Sequence, residues 1–383
     1  MPRVYLDHHA AAPVDARVRS ALRELELEGE LWANPSSVHT EGRRGRRYLE
    51  RAREQVAAAI AAAAPDIVLT SGGTEACNLA VFGMLQVPAQ TLDAPPHVVT
   101  SAIEHPAVAE PLRQLEARAA IRVQRLGVPR GVPPTPDELR AALTPSTRLC
   151  ALQWVNHETG TILPIAQYAQ VCRAAGVPLF VDATQGFGKL PLSVEDLGAD
   201  LVALAAHKIG GVAGAGALWV RRSLELASVA VGGGQERGRR AGTPDVRAAM
   251  GFGLACGFVP ERLLEQPRIS QLRDRLEARL LQLGAQLNAD LGSRVATVSN
   301  VCWPSRRSEA LVAAFDIEGL AVSAGAACSS GKSQPSPVLL AMHAAEPHRA
   351  EMSVRFSFGP EVSENDVEFA LVCCEKVLAR PPA

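Results

Sequence analysis

Net charge is almost missing from this chain: 39 lysines and arginines stand against 40 aspartates and glutamates, for a formal charge of -1. That balance gives no electrostatic argument for binding nucleic acid or an anionic membrane. Long apolar runs are missing too. The longest, near residues 56–64, falls far short of the roughly 20 residues that span a bilayer. The first residues, Met1-Pro2-Arg3-Val4, hold no apolar signal segment. A soluble, cytoplasmic protein is expected. The eight cysteines stand at 77, 150, 172, 256, 302, 328, 373 and 374, and none form a Cys-x-x-Cys pair. Neither a zinc knuckle nor a thioredoxin-type site is indicated, and no metal is expected. Most of these thiols are expected to be small buried hydrophobes.

What is present is an alternation. Apolar strand candidates occur at 67–70, 98–101, 121–126, 149–155, 179–182, 201–204 and 216–220, with helical patterns at 75–83, 107–117, 136–142 and 165–175. Strands alternating with helices predict an α/β domain with a mainly parallel sheet. The strands are continuously apolar, as expected when helices cover both faces. Thr135-Pro136-Asp137-Glu138 has the cap, proline and acid of a helix start. After a long helix expected over 263–287 the order changes. A strand at 295–301, a helix at 308–315, a short strand at 321–323, a helix after Pro335, a strand at 353–357 and a final helix from Ser363 predict a smaller α+β domain. The expected division is 16–258 for the large domain and 1–15 with 259–383 for the small one.

Two strand ends carry the strongest chemical signal. Asp182 ends Leu179-Phe180-Val181-Asp182, and Lys208 follows Leu201-Val202-Ala203-Leu204 in Ala206-His207-Lys208. Such a lysine can form a Schiff base with pyridoxal phosphate (PLP), and such an aspartate can keep the pyridine nitrogen protonated. A surface lysine and a capping aspartate are the plainer alternative. Thr70-Ser71-Gly72-Gly73-Thr74-Glu75 lies between strand and helix, where Gly73 and Thr74 could cup a phosphate or simply cap the helix. His105 could stack on a flat ring or be a loop residue. Gln185 and Asn156 could donate hydrogen bonds or form turns. Cys328 lies in a loop of small residues, as a reactive or an inert thiol. Arg355, inside an apolar strand, suits a substrate carboxylate or an internal ion pair. Arginines 43, 44, 46, 47 and 53 read as the solvated start of a helix, with a docking patch as the minority view. Thr243, in Gly242-Thr243-Pro244, reads as a helix cap or a binding residue.

Taken in order, these strings resemble the cysteine desulfurases, PLP enzymes of aminotransferase class V and fold-type I. The resemblance rests on Tyr5-Leu6-Asp7-His8-His9-Ala10, Asn34-Pro35-Ser36-Ser37-Val38-His39, Ser71-Gly72-Gly73-Thr74-Glu75-Ala76, Ile103-Glu104-His105-Pro106 and Val155-Asn156. It continues through Asp182-Ala183-x-Gln185, Ala206-His207-Lys208, the stretch 232–236, Arg240-x-Gly242-Thr243, Ala327-Cys328-Ser329-Ser330-Gly331 and Arg355-Phe356-Ser357. It implies the Schiff base at Lys208, Asp182 at the pyridine nitrogen, His105 over the ring and Gln185 at the phenolic oxygen. Thr74 and His207 would bind phosphate, joined by Thr243 from a second subunit of a homodimer. Asn34, Asn156 and Arg355 would hold the substrate carboxylate. Cys328 would take sulfur from L-cysteine as a persulfide, releasing L-alanine, and a long mobile loop would hand it to a scaffold or carrier protein. Iron–sulfur assembly and tRNA thiolation are both open.

Three positions depart from the pattern. His157 stands where asparagine is usual, Ala205 where serine is common, and Ala11-Ala12 where threonines are. A missing phosphate hydrogen bond at Ala205 should cost about 1 kcal/mol. The alternatives are a selenocysteine lyase or aminotransferase of the same fold, for which Cys328 would be dispensable, and a catalytically weak partner-binding subunit.

Overall fold

The computed structural model describes residues 3–29, 31–86, 95–289, 292–325 and 334–381. Its centre is a seven-stranded sheet in the order Ile67–Thr70, Gly216–Val220, Leu201–Ala205, Leu179–Asp182, Thr147–Gln153, His97–Ser101, Arg122–Leu126. Neighbours are parallel except at Gly216–Val220, which runs antiparallel to both strands beside it. Alternate residues feed two separate apolar clusters. Phe180, Leu201, Ala203 and Leu218 pack with helix Gly73–Gln86 on one face. Leu179, Val181, Val202 and Leu204 pack with helices Thr40–Ala58 and Ile165–Ala174 on the other. Both faces are therefore dry, which is why these strands show no apolar–polar alternation. The edge strand Arg122–Leu126 exposes Arg122, Gln124 and Arg125, and such polar edges discourage pairing with another chain.

A third cluster lies on a smaller antiparallel sheet, ordered Ser323–Ala324, Ser353–Ser357, Val298–Cys302, Gln286–Leu287. Helices Gln266–Gln282, Ser308–Ile317 and Glu364–Leu378 pack there, and Val4 and Leu6 join them. Val4–Tyr5 pairs in parallel with Leu320–Ala321. The N-terminal strand is thus tied to the C-terminal third of the chain. It then leads directly to His9 and Ala10.

Several elements differ from the sequence expectation. The helix expected over 263–287 is two helices, Val259–Leu264 and Gln266–Gln282. Gly284 then turns the chain at φ +85°, and Gln286–Leu287 is a strand. The strand expected at 321–323 is split, because Leu320–Ala321 and Ser323–Ala324 pair with different partners. Helix Ala16–Leu27, capped by Asp15, has no counterpart in the expectation. The arginine-rich helix is not solvated throughout. Arg53 is 3% exposed and meets Glu236 through two hydrogen bonds, at 2.6 and 2.8 Å. The capping box at Thr135 is present, with Glu138 bonding back to the cap. Among the described residues no helix is long and apolar enough to cross a membrane.

Candidate active site

The carboxyl ends of the parallel strands open onto one cavity of about 310 Å3. Ligands of open α/β sheets bind at such ends. Asp182 is the last residue of its strand and is buried, with Oδ1 accepting the Thr184 N–H at 3.0 Å. Lys208 closes the short turn Ala206–Lys208 after the neighbouring strand. Its Nζ donates to the carbonyl oxygens of His9 at 2.5 Å and Ala10 at 2.9 Å. The N-terminal segment thereby holds the amine in the cavity wall.

His105 caps helix Pro106–Ala117, its Nδ1 accepting the Ala107 N–H at 3.0 Å. An accepting Nδ1 leaves the proton of the neutral ring on Nε2. Burial pushes the His105 pKa down, so the neutral form is favoured. Burial likewise lowers His207 to about 4, with the Lys208 charge adding to the effect. Gly73 and Thr74 line the cavity from the first turn of helix Gly73–Gln86, whose N–H groups favour an anion. That turn is braced: Glu75 Oε2 accepts the Ser71 N–H at 2.7 Å, and Arg240 Nε donates to Glu75 Oε1 at 2.7 Å. Gln185, His207 and Arg355 also face the cavity. Arg355 donates to Asp7 at 2.8 Å and to the His157 carbonyl at 3.0 Å, so the internal ion pair weighed from sequence is present.

Three expected site residues are not brought there. Asn34 is exposed and its Oδ1 accepts the Ser36 N–H at 2.9 Å, a local turn contact. Thr243 is exposed and is not part of the wall. Asn156 is fully buried with its amide committed. Oδ1 takes the Glu158 N–H, the Thr159 N–H and the Thr159 hydroxyl, and Nδ2 donates to the Ile103 carbonyl. It holds the 156–161 turn together rather than presenting an amide to a ligand. Cys328 lies outside the described residues.

A model of the aminotransferase class-V family matches residues 4–369. A cysteine desulfurase of Gluconacetobacter diazotrophicus is 37% identical over 99% of this chain and 94% of its own length. Cysteine desulfurase IscS of Anaeromyxobacter sp. is 40% identical over 98% of this chain and 92% of its own. A solved NifS-like protein superposes with a TM-score of 0.90 at 28% identity, covering 98% of this chain and 99% of its own. DndA from Streptomyces lividans gives 0.77 at 35% identity over 90% and 97%.

The chain belongs to the aminotransferase class-V family, among the cysteine desulfurases. This is a PLP-dependent family, and the donor set fits that cofactor. A buried carboxylate suits a pyridinium, an amine suits an aldehyde, a neutral imidazole suits a ring face, and a helix N-terminus suits a phosphate.

Several residues at or beside this wall were given no role from sequence. Cys77, one turn into helix Gly73–Gln86, lines it, as does His9. Glu104 is buried beside Asp182, and burial pushes its pKa up to about 8, so it is neutral at pH 7. The signal for Glu104 was its place beside His105 in the motif. His157 lines the cavity and meets the His105 ring edge to face at 4.8 Å. At the Ala11-Ala12 departure the backbone ties this segment to the lysine turn, the Ala12 N–H donating to the His207 carbonyl at 2.9 Å.

Proposed function

We propose that this chain binds PLP at Lys208 and converts L-cysteine to L-alanine, passing the sulfur to Cys328 as a persulfide. The observation that carries the reading is the convergence of Lys208, Asp182, His105 and Gln185 on one cavity at the strand ends. PLP, when bound, supplies an electron sink that makes bonds around the substrate α-carbon labile. Lys208 holds the cofactor at rest and, through Nζ, moves a proton at the substrate α-carbon. Asp182 keeps a proton on the pyridine nitrogen. His105, with its proton on Nε2, would stack on the cofactor ring. Gly73, Thr74 and His207 bind the phosphate, and Arg355 draws in the substrate carboxylate. The Cys328 thiolate attacks the substrate sulfur, so a sulfur–sulfur bond forms as the carbon–sulfur bond breaks. The carbon takes a proton and L-alanine leaves.

Thr243 serves the cavity of a partner subunit in a homodimer, and Asn34 lies at the same subunit boundary. Exposed apolar side chains in the same two segments support this: Trp32 at 75%, Val38 at 83% and Val231 at 95% exposure. Residues 16–258 form the cofactor-binding domain, and 1–15 with 259–383 the smaller one. Most of the C-terminal apolar residues, with Val4 and Leu6, form a cluster of their own, which supports that division. The persulfide passes to a scaffold or carrier protein in the cytoplasm. Purified protein given L-cysteine should release alanine and sulfide. Cys328→Ser should keep the cofactor's colour and lose sulfur release. Sulfide at the parental rate from that variant would remove Cys328 from the reaction.

A further inference from the structure

Only four lysines occur in the chain, at 189, 208, 332 and 376, so basic surface positions are left to arginine. One of the four is buried next to the active site. Lys189 is 9% exposed, and no carboxylate pairs with it among the described residues. Burial and the nearby Lys208, Arg355 and Arg262 charges push its pKa well down. Keeping an amine there costs stability, and a buried amine in such a place needs a reason.

The turn after Asp182 supplies one. Gly188 adopts φ +75° against Ile209, where a Cβ would come within 2.7 Å of the Ile209 side chain. The Lys189 N–H donates to the Gly186 carbonyl at 3.0 Å, so the chain folds back on itself. Lys189 Nζ then meets Gln185 twice, donating to its backbone oxygen at 2.9 Å and to its Oε1 at 2.6 Å. Gln185 Nε2 donates to the His9 carbonyl at 2.9 Å, the same oxygen that receives Lys208 Nζ at 2.5 Å. The His9 backbone carbonyl only accepts, so the Gln185 Nε2 side faces it and Oε1 faces the Lys189 amine, which has N–H groups to donate whether charged or neutral.

We propose that Lys189 is a positioning residue that locks Gln185 with its N–H side toward the active-site cavity, as a donor to the cofactor's phenolic oxygen. The inference rests on the PLP reading above. Gln185 Nε2 has two protons; His9 takes one, and the second serves the ligand. Without Lys189 the amide can turn and present a lone pair to the phenolic oxygen, which favours protonation of that oxygen.

The test is the absorption spectrum of the purified holoenzyme at one fixed pH, without substrate. The ionised form of the bound cofactor absorbs at longer wavelength than the neutral form. Lys189→Met should lower the ratio of long- to short-wavelength bands about tenfold or more, the effect of one hydrogen bond to a charged group. Gln185→Met should lower it as much, and Lys189→Met added to Gln185→Met should lower it no further. If Lys189→Met does not fold, Lys189→Arg, which keeps a donor, should retain the parental ratio. A parental spectrum for Lys189→Met, an Arg variant that matches Gln185→Met, or additive shifts in the double variant would each overturn the proposal. A parental spectrum for Gln185→Met would instead locate the failure in the assignment of Gln185 to the phenolic oxygen.

Discussion

Replacing Ala205 by serine tests the phosphate end of the cavity by adding a group rather than removing one. Ala205 ends strand Leu201–Ala205 and is 1% exposed. Its Cβ lies 3.2 Å from the point a Cβ on Gly73 would occupy. Glycine leaves that space open beside the first N–H groups of helix Gly73–Gln86. A serine hydroxyl fits the space and can donate to a phosphate oxygen held at that helix end. Such a bond contributes about 1–2 kcal/mol, or roughly a 5- to 30-fold lower Kd for PLP. Gly73→Ala is the opposing variant. Its Cβ would stand 3.0 Å from Thr184 Oγ1 and 3.2 Å from the Ala205 Cβ, so the turn must shift and PLP should bind about tenfold more weakly. Both Kd values come from titrating apo-protein with PLP and following the visible band. If Ala205→Ser left the Kd unchanged or raised it while Tm stayed parental, the phosphate would not sit against the Gly73 turn.

Two further substitutions probe the surrounding scaffold. Glu104 titrates at about 8 in the fold because burial disfavours its charge, so the parental protein loses stability as pH rises from the ordinary carboxylate range through about 8. Glu104→Gln removes that loss, on the order of a few kcal/mol, and its Tm advantage should grow from pH 5 to pH 8; an advantage that shrinks with pH would contradict this. Glu236→Gln leaves the buried Arg53 guanidinium with only the partly exposed Glu50 as a charge partner and weakens the bond from the Leu69 N–H, which Glu236 accepts at 2.8 Å. Urea unfolding should show a loss of about 3–5 kcal/mol, and a loss below about 1 kcal/mol would mean the pair is not the anchor of that loop.

The parallel sheet was legible because burial on both faces leaves continuous apolar strands, and no loop contact can imitate seven of them in alternation with helices. Lys208, Asp182 and His105 were legible because strand ends can be read from the same runs. The C-terminal boundaries were less so. The chain at 320–324 changes strand partner within five residues, and no local pattern records the partner. The turn bonds of Asn156 were not legible, because a polar residue after a strand has the same local sequence whatever its amide bonds. Lys189 passed unnoticed because nothing in Gly188-Lys189-Leu190 marks a buried amine. Its amine bonds Gln185, whose amide in turn bonds the distant His9 carbonyl. Arg53 was hidden in an arginine run for a similar reason, since its partner Glu236 is 183 residues away.

The central claim is that the amine of Lys208 carries the cofactor. Borohydride reduction of the holoenzyme, followed by proteolysis and mass spectrometry, should place a pyridoxyl group on the peptide containing Lys208 and on no other. With only four lysines in the chain, the result is unambiguous. A pyridoxyl group on Lys189, Lys332 or Lys376, or no modified lysine at all, would contradict the account.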